Sequence, residues 1–207
     1  LKIKKGDRIA QVIFQKFLTV DNDQASGVRQ GGFGSTDQKP PKVVYDVDDV
    51  LWPCSEVVFD KVGADYNLQE DFRIANDPHF TDVEKQKITD GFHDAQNFAG
   101  MSFYPGARDI FKVEELGAEV EINSNCYSEA ILKAKREQLT QLFDSNLESK
   151  LKLNLATPHS NYKYIPKDVL IFIDDSPYNI ANSAAKYNLV PRRPWNDNPK
   201  MRRVAQK

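Results

Sequence analysis

The stretch Val43-Val44-Tyr45-Asp46-Val47-Asp48-Asp49-Val50-Leu51 decides the reading of this chain, with Val169-Leu170-Ile171-Phe172-Ile173-Asp174-Asp175 as its counterpart. Each is an apolar run that ends in carboxylates. An apolar, β-branched run with no polar alternation predicts a strand buried on both faces. The acids then fall at the strand's C-terminal end, which in an open parallel sheet is the edge where ligands bind. Carboxylates converging there repel one another by about 3 kcal/mol per pair at ~6 Å and an effective dielectric of ~20. A divalent cation relieves that conflict. All-oxygen donors suit Mg²⁺, which also favours a phosphate as co-ligand.

Working outward, strands alternate with helical patterns. Strand one is expected over 43–47, helices over 55–75 and 82–98, and strand two over 119–123. An amphipathic helix follows over 128–143, with Ile131, Leu132, Leu139, Leu142 and Phe143 on its apolar side. Strands are then expected over 151–155, 169–173 and 188–190, with a helix over 177–187. Thr81-Asp82-Val83-Glu84 has the form of a capping box. A further helix is expected from Pro105 to Gly117. The alternation predicts an α/β fold, a Rossmann-like parallel sheet with right-handed crossovers. The helices between strand one and the next αβ unit form an inserted helical cap over about 53–102. If strands one to three run outward in one direction, strand four returns to the other side of strand one. Asp46, Asp48, Asp49, Asp174 and Asp175 then share one crevice.

Residues 21–42 are poor in apolar side chains and end in Lys39-Pro40-Pro41-Lys42, a stiff extended spacer. A domain boundary is expected there, dividing 1–38 from 39–207. The segment 8–14 reads as a short strand and 21–38 as a glycine-rich arm. The chain opens at Leu1 and reads as a piece of a longer one.

Composition sets the outer limits. The chain has 207 residues, 40% of them hydrophobic, and a formal net charge of −2, so no strong field favours double-stranded nucleic acid or an anionic membrane. Its two cysteines, Cys54 and Cys126, lie far apart without metal-site spacing, which points to a reducing, cytoplasmic compartment. His79, His93 and His159 show no metal-ligand spacing either. No apolar run approaches the ~20 residues of a membrane span, and no signal-peptide pattern opens the chain.

The joint pattern resembles the haloacid dehalogenase superfamily of phosphatases over about 42–195. Asp46-Val47-Asp48-Asp49-Val50 is similar to its first motif, Ser124 closing strand two to its second, and Asp174-Asp175 to its fourth. The third is a Lys, for which Lys163 and Lys167 both qualify; Lys163 is preferred because Lys167 sits close to the strand. Within the superfamily the chain resembles the 5′(3′)-deoxyribonucleotidases, through Phe103-Tyr104-Pro105-Gly106-Ala107, Ile173-Asp174-Asp175-Ser176-Pro177-Tyr178-Asn179 and Arg193-Pro194-Trp195-Asn196. It departs from that group at Asp49, where Gly is common, and at Ser124-Asn125, where Thr-Ser-Pro is common.

The resemblance implies a Mg²⁺-dependent phosphomonoesterase. Asp46 is the implied nucleophile, forming an aspartyl phosphate. Asp48 is the acid and base, with its backbone carbonyl in the metal shell. Ser124, beside Asn125, holds a phosphate oxygen, and Lys163 balances charge. Asp174 and Asp175 complete the metal site with Asp46. An aromatic-rich cap suits a nucleobase, since rings stack on rings, with Trp52 as the expected platform. Ordinary helix packing is the alternative for any one of those aromatics, and Asp174-Asp175 before Ser176-Pro177 has the alternative of a plain helix cap.

Gly6-Asp7-Arg8-Ile9-Ala10-Gln11 and Arg29-Gln30-Gly31-Gly32-Phe33-Gly34-Ser35-Thr36 resemble the last two motifs of trimeric dUTPases. The resemblance implies that 1–36 is the C-terminal fragment of such a domain, with Phe33 covering uracil and backbone N–H groups holding phosphates. It implies a homotrimer where the whole domain is present. The earlier motifs of that family, its water-activating Asp included, are missing, so the fragment cannot itself be a working dUTPase. The pairing implies a nucleotide-pool protein, because dUTPase releases dUMP and a deoxyribonucleotidase dephosphorylates it.

Overall fold

The computed structural model describes residues 39–143, 145–156, 163, 165, 167–197 and 199–200. The dUTPase-like segment 1–36, Phe33 within it, and His159 lie outside the described residues.

Five parallel strands form one sheet in the order β3-β2-β1-β4-β5. They are β1 (Lys42–Tyr45), β2 (Glu119–Cys126), β3 (Leu151–Leu155), β4 (Val169–Ile173) and β5 (Tyr187–Leu189). β1 is central, paired with β2 on one side and β4 on the other. Strand order therefore reverses at β1/β4, as expected for an open α/β sheet. Apolar layers cover both faces. Val44, Ile165, Val169, Phe172 and Ile180 pack together on one side. On the other, Val47, Ile122, Ile131, Leu139 and Phe143 belong to a larger cluster. This two-sided burial explains the near-continuous apolar reading of β1 and β4.

The helices are α1 (Cys54–Val62), α2 (Asp82–His93), α3 (Glu129–Leu142) and α4 (Pro177–Ala181). Four differences from the sequence expectation stand out. The helix expected over 55–75 ends at Val62, where Gly63 adopts a left-handed conformation at φ 72° and caps it. Short 3₁₀ turns at Tyr66–Leu68 and Ile74–Asn76 take its place. The segment after Pro105 is a 3₁₀ helix, Ala107–Leu116, and α4 is a helix of five residues rather than one reaching 187. β2 runs three residues beyond 123, carrying Ser124 and Asn125 inside the sheet, paired to Leu153 and Asn154. The capping box at Thr81 and Glu84 forms as read.

The cap between β1 and β2 has a small core of its own, Phe59, Ile74, Phe80 and Ile88. Among the described residues no helix is long and apolar enough to cross a membrane.

Candidate active site

The register of the central pair sets the site. Tyr45 lies opposite Ile173, and the Asp46 N–H donates to the Ile173 carbonyl at 2.8 Å. Asp46 and Asp174 therefore leave adjacent strand ends side by side. One oxygen from each of Asp46, Asp174 and Asp175 lies within 4.8 Å of the others. All three residues are buried, Asp174 completely.

Each carboxylate has a different environment. Asp46 Oδ1 accepts from the Val47 N–H and pairs with the Lys163 ammonium. Its Oδ2 has no partner among the described residues. Asp174 is the most tied down: Lys163 reaches Oδ2 at 2.9 Å, the Ser176 N–H reaches Oδ1 at 2.8 Å, and the Asn179 amide touches both oxygens. Ser176 also caps α4, with Pro177 in its first turn. So the helix-capping alternative for this segment holds for Ser176, while both acids turn to the crevice. The Asp175 carboxylate takes no hydrogen bond or ion pair among the described residues.

The electrostatics follow. Burial lifts Asp46 to about 7, Lys163 opposes the rise, and Asp174 and Asp48 add to it. Asp175 is pushed well above the carboxylate range by burial, then by Asp49, Asp174 and Asp46. Lys163 is desolvated too, yet Asp174 and Asp46 outweigh that and hold it charged. One ammonium against three buried carboxylates leaves the cluster short of positive charge. The donor set therefore fits a hard dication such as Mg²⁺: all oxygen, convergent, undercompensated, with Asp175 open.

Asp48 stands beside this trio. Its Oδ1 accepts the Trp52 indole N–H at 2.8 Å and its Oδ2 pairs with the Lys135 ammonium. Ser124, on β2, is buried, and its Oγ is 3.1 Å from Lys135 Nζ. Asn125 is partly buried, and its carbonyl accepts from the same Nζ. Of the two candidate lysines, Lys163 is in the cluster and Lys167 is exposed.

The loop between β1 and α1 is a tight turn in which the Leu51 N–H bonds the Val47 carbonyl at 2.8 Å. It needs a left-handed residue, and Asp49 provides it at φ 56°. Asp is one of the few side chains that tolerate this region. The departure from Gly at this position is therefore compatible with the turn. The side chain also does something Gly cannot: it accepts the Ser55 N–H at 3.0 Å and the Ser55 hydroxyl at 2.6 Å, in the first turn of α1. Burial raises Asp49 to about 7 against those two bonds. Arg193 closes the same turn from the far end of the chain, its guanidinium donating to the Asp49 carbonyl and lying 4.8 Å over the Tyr104 ring.

Trp52 is a correction. Expected as a platform for a base, it is fully buried, its N–H is spent on Asp48, and its ring packs 5.3 Å from Phe103. Phe59, Phe80 and Phe98 are buried as well. A cap this small needs its aromatics for its own interior. The exposed ring pair near the site is instead Tyr127, just past Ser124 and Asn125 on the sheet side, and His93, at the end of α2, with centroids 4.8 Å apart. Sequence reasoning also missed Lys135. Its signal was there: Lys135 falls midway between Ile131 and Leu139 on the buried stripe of α3, where an apolar residue is the rule.

No family model and no curated protein matches the chain. Among solved structures it is similar to a haloacid dehalogenase-like hydrolase from Streptococcus pneumoniae, at 10% identity and a TM-score of 0.41 over 70% of this chain and 80% of that one. It is also similar to a haloacid dehalogenase-like hydrolase from Xanthomonas campestris, at 15% identity and a TM-score of 0.43 over 82% of this chain and 97% of that one.

Proposed function

We propose that this chain is a phosphomonoesterase of the haloacid dehalogenase type, dependent on Mg²⁺, acting on small phosphate esters with deoxynucleoside monophosphates as the preferred class. One observation carries the reading. Asp46, Lys163, Asp174 and Asp175 meet, buried, where strand order reverses, with the acid Asp48 and the hydroxyl of Ser124 next to them.

The roles follow from which atoms are free. Asp46 Oδ1 is held by Val47 and Lys163, which leaves Oδ2 to attack phosphorus and form the aspartyl phosphate. Asp48 gives a proton to the leaving oxygen and then takes one from water. Ser124 holds a phosphate oxygen, and Lys163 offsets charge on Asp46 and Asp174. Asp46, Asp175 and Asp174 would hold Mg²⁺, with Asp175 as the direct ligand that has least else to do and Asp174 restrained by Lys163 and Asn179. When bound, the cation neutralises charge on the transferring phosphoryl group.

The deoxynucleotide reading comes from the motifs shared with the 5′(3′)-deoxyribonucleotidases and from the dUTPase-like segment, which together favour uracil or thymine bases. In this fold a base would meet Tyr127 and His93 rather than Trp52. The burial of Trp52, Phe59, Phe80 and Phe98 favours a second reading, a phosphatase for another small phosphate ester with no ring to stack.

The test is kcat/KM for dUMP, dTMP, dGMP, UMP and a simple sugar phosphate, with Mg²⁺ and in excess chelator. The proposal expects turnover only with metal, and dUMP or dTMP ahead of UMP by at most about 100-fold, since an added hydroxyl is weakly excluded. A sugar phosphate equal to or better than dUMP leaves the phosphatase and removes the nucleotidase. Full activity in chelator removes the metal-assisted mechanism.

A further inference from the structure

We propose that Lys135 is a positioning residue that aligns Asp48 and Ser124 for the reaction, an inference that rests on the function proposed above. The sequence motifs require one lysine, and Lys163 fills that place. Lys135 comes from a different element, the middle of α3, and serves different groups.

Its surroundings are specific. The side chain is 2% exposed. Its ammonium pairs with Asp48 Oδ2 and lies 3.1 Å from both Ser124 Oγ and the Asn125 carbonyl. An ammonium has three N–H donors, and these three acceptors use them all. The Phe98 ring lies 5.1 Å away on another side. Burial alone would strip the proton from this group, yet the Asp48 carboxylate outweighs that and keeps it charged.

Two consequences bear on chemistry. Trp52 donates to Asp48 Oδ1 and Lys135 donates to Oδ2, so the carboxylate is held from both sides in one orientation, and the second lone pair of each oxygen is left to take and pass the proton. Ser124 Oγ accepts from Lys135, which leaves the hydroxyl hydrogen free to donate to a phosphate oxygen. One cation thus fixes the proton-carrying group on the β1 loop relative to the phosphate-holding group on β2. A purely architectural part explains this poorly. A Leu or Met on the Ile131–Leu139 stripe packs without desolvating a charge, and exchanging a buried ion pair for apolar groups is often neutral or stabilising.

The test compares the full chain with its Lys135→Met and Lys135→Gln variants on two esters, an alkyl phosphate such as dUMP and p-nitrophenyl phosphate. Nitrophenolate departs without needing a proton, whereas an alkoxide needs one from Asp48. kcat/KM reports the first phosphoryl transfer. Misplacing the general acid predicts a loss on the alkyl ester at least about sixfold larger than that on the aryl ester, and the loss common to both esters reports the displacement of Ser124. Thermal melts show which variant is folded, and Lys135→Gln, which keeps a donor, serves if Lys135→Met is not. Equal losses on the two esters, or no loss on either, overturn the positioning role while leaving the phosphatase intact. A wild-type chain that hydrolyses neither ester with Mg²⁺ overturns the proposed function itself.

Discussion

Asp46→Asn should abolish turnover and, without metal, make the protein more stable. Asp46 is buried and raised from 3.8 to about 7, a shift of about 3 units, which at 1.36 kcal/mol per unit sets an upper bound of roughly 4 kcal/mol on the cost of ionising it in the fold. The folded state holds its proton more tightly than the unfolded state. Its contribution is therefore fully present below about pH 4 and is lost as pH rises through about 7. Asparagine keeps the acceptor for Val47 and Lys163 but carries no charge, and Lys163 retains Asp174. Part of the gain is offset by the weaker Lys163 contact, so the expected net effect is on the order of 1–3 kcal/mol at pH 8. For a domain of this size that is a rise of about 2–12 °C in Tm. The assay is thermal unfolding in chelator at pH 8 and pH 5. The advantage of the variant should be less than half as large at pH 5, and Mg²⁺ should stabilise the wild type more than the variant. A variant no more stable at pH 8, or one whose advantage is the same at both pH values, would refute the electrostatic account. Turnover within tenfold of wild type, with deamidation excluded, would refute the nucleophile.

Three further outcomes are expected. Asp175→Ala and Asp174→Ala should each weaken Mg²⁺ binding in calorimetric titration by about tenfold or more, and unchanged affinity in both would remove the acids from the metal site. Asp49→Gly should be more stable than Asp49→Ala by at least about 1 kcal/mol in urea unfolding, because both lose the bonds to Ser55 but only Ala keeps a Cβ at positive φ; the reverse order would contradict the turn geometry. Deleting 1–38 should leave kcat/KM within about twofold, since the site is built from Asp46 onward, and a loss of tenfold or more would make the leading segment part of the phosphatase.

What the sequence disclosed has a physical pattern. Apolar runs ending in acids revealed β1 and β4, and the crossover rule placed them side by side, so the convergence of Asp46 with Asp174 and Asp175 was legible from strands far apart in the chain. The capping box at Thr81 was legible because its chemistry is local. The length of the first cap helix was not, because a glycine at 63 outweighed a periodic pattern that continued past it. Trp52 illustrates a different limit. Aromatic content says that rings exist, and only packing decides whether a ring faces a ligand or the interior. Lys135 was hidden for the opposite reason. A lysine on an apolar stripe looks like noise until the partners that justify its charge, Asp48 and Ser124, are brought to it by other elements.

The covalent step can be observed at its own atom. The full chain is mixed with Mg²⁺ and dUMP, quenched in acid during turnover, and reduced with borohydride, which converts an acyl phosphate to an alcohol and leaves a free carboxylate untouched. Peptide mass spectrometry then reads each acidic position. The account predicts homoserine at position 46, absent when substrate or Mg²⁺ is withheld and absent in Asp46→Asn. Product formation with no reduced peptide, or reduction at Asp48, Asp174 or Asp175 instead, would contradict it.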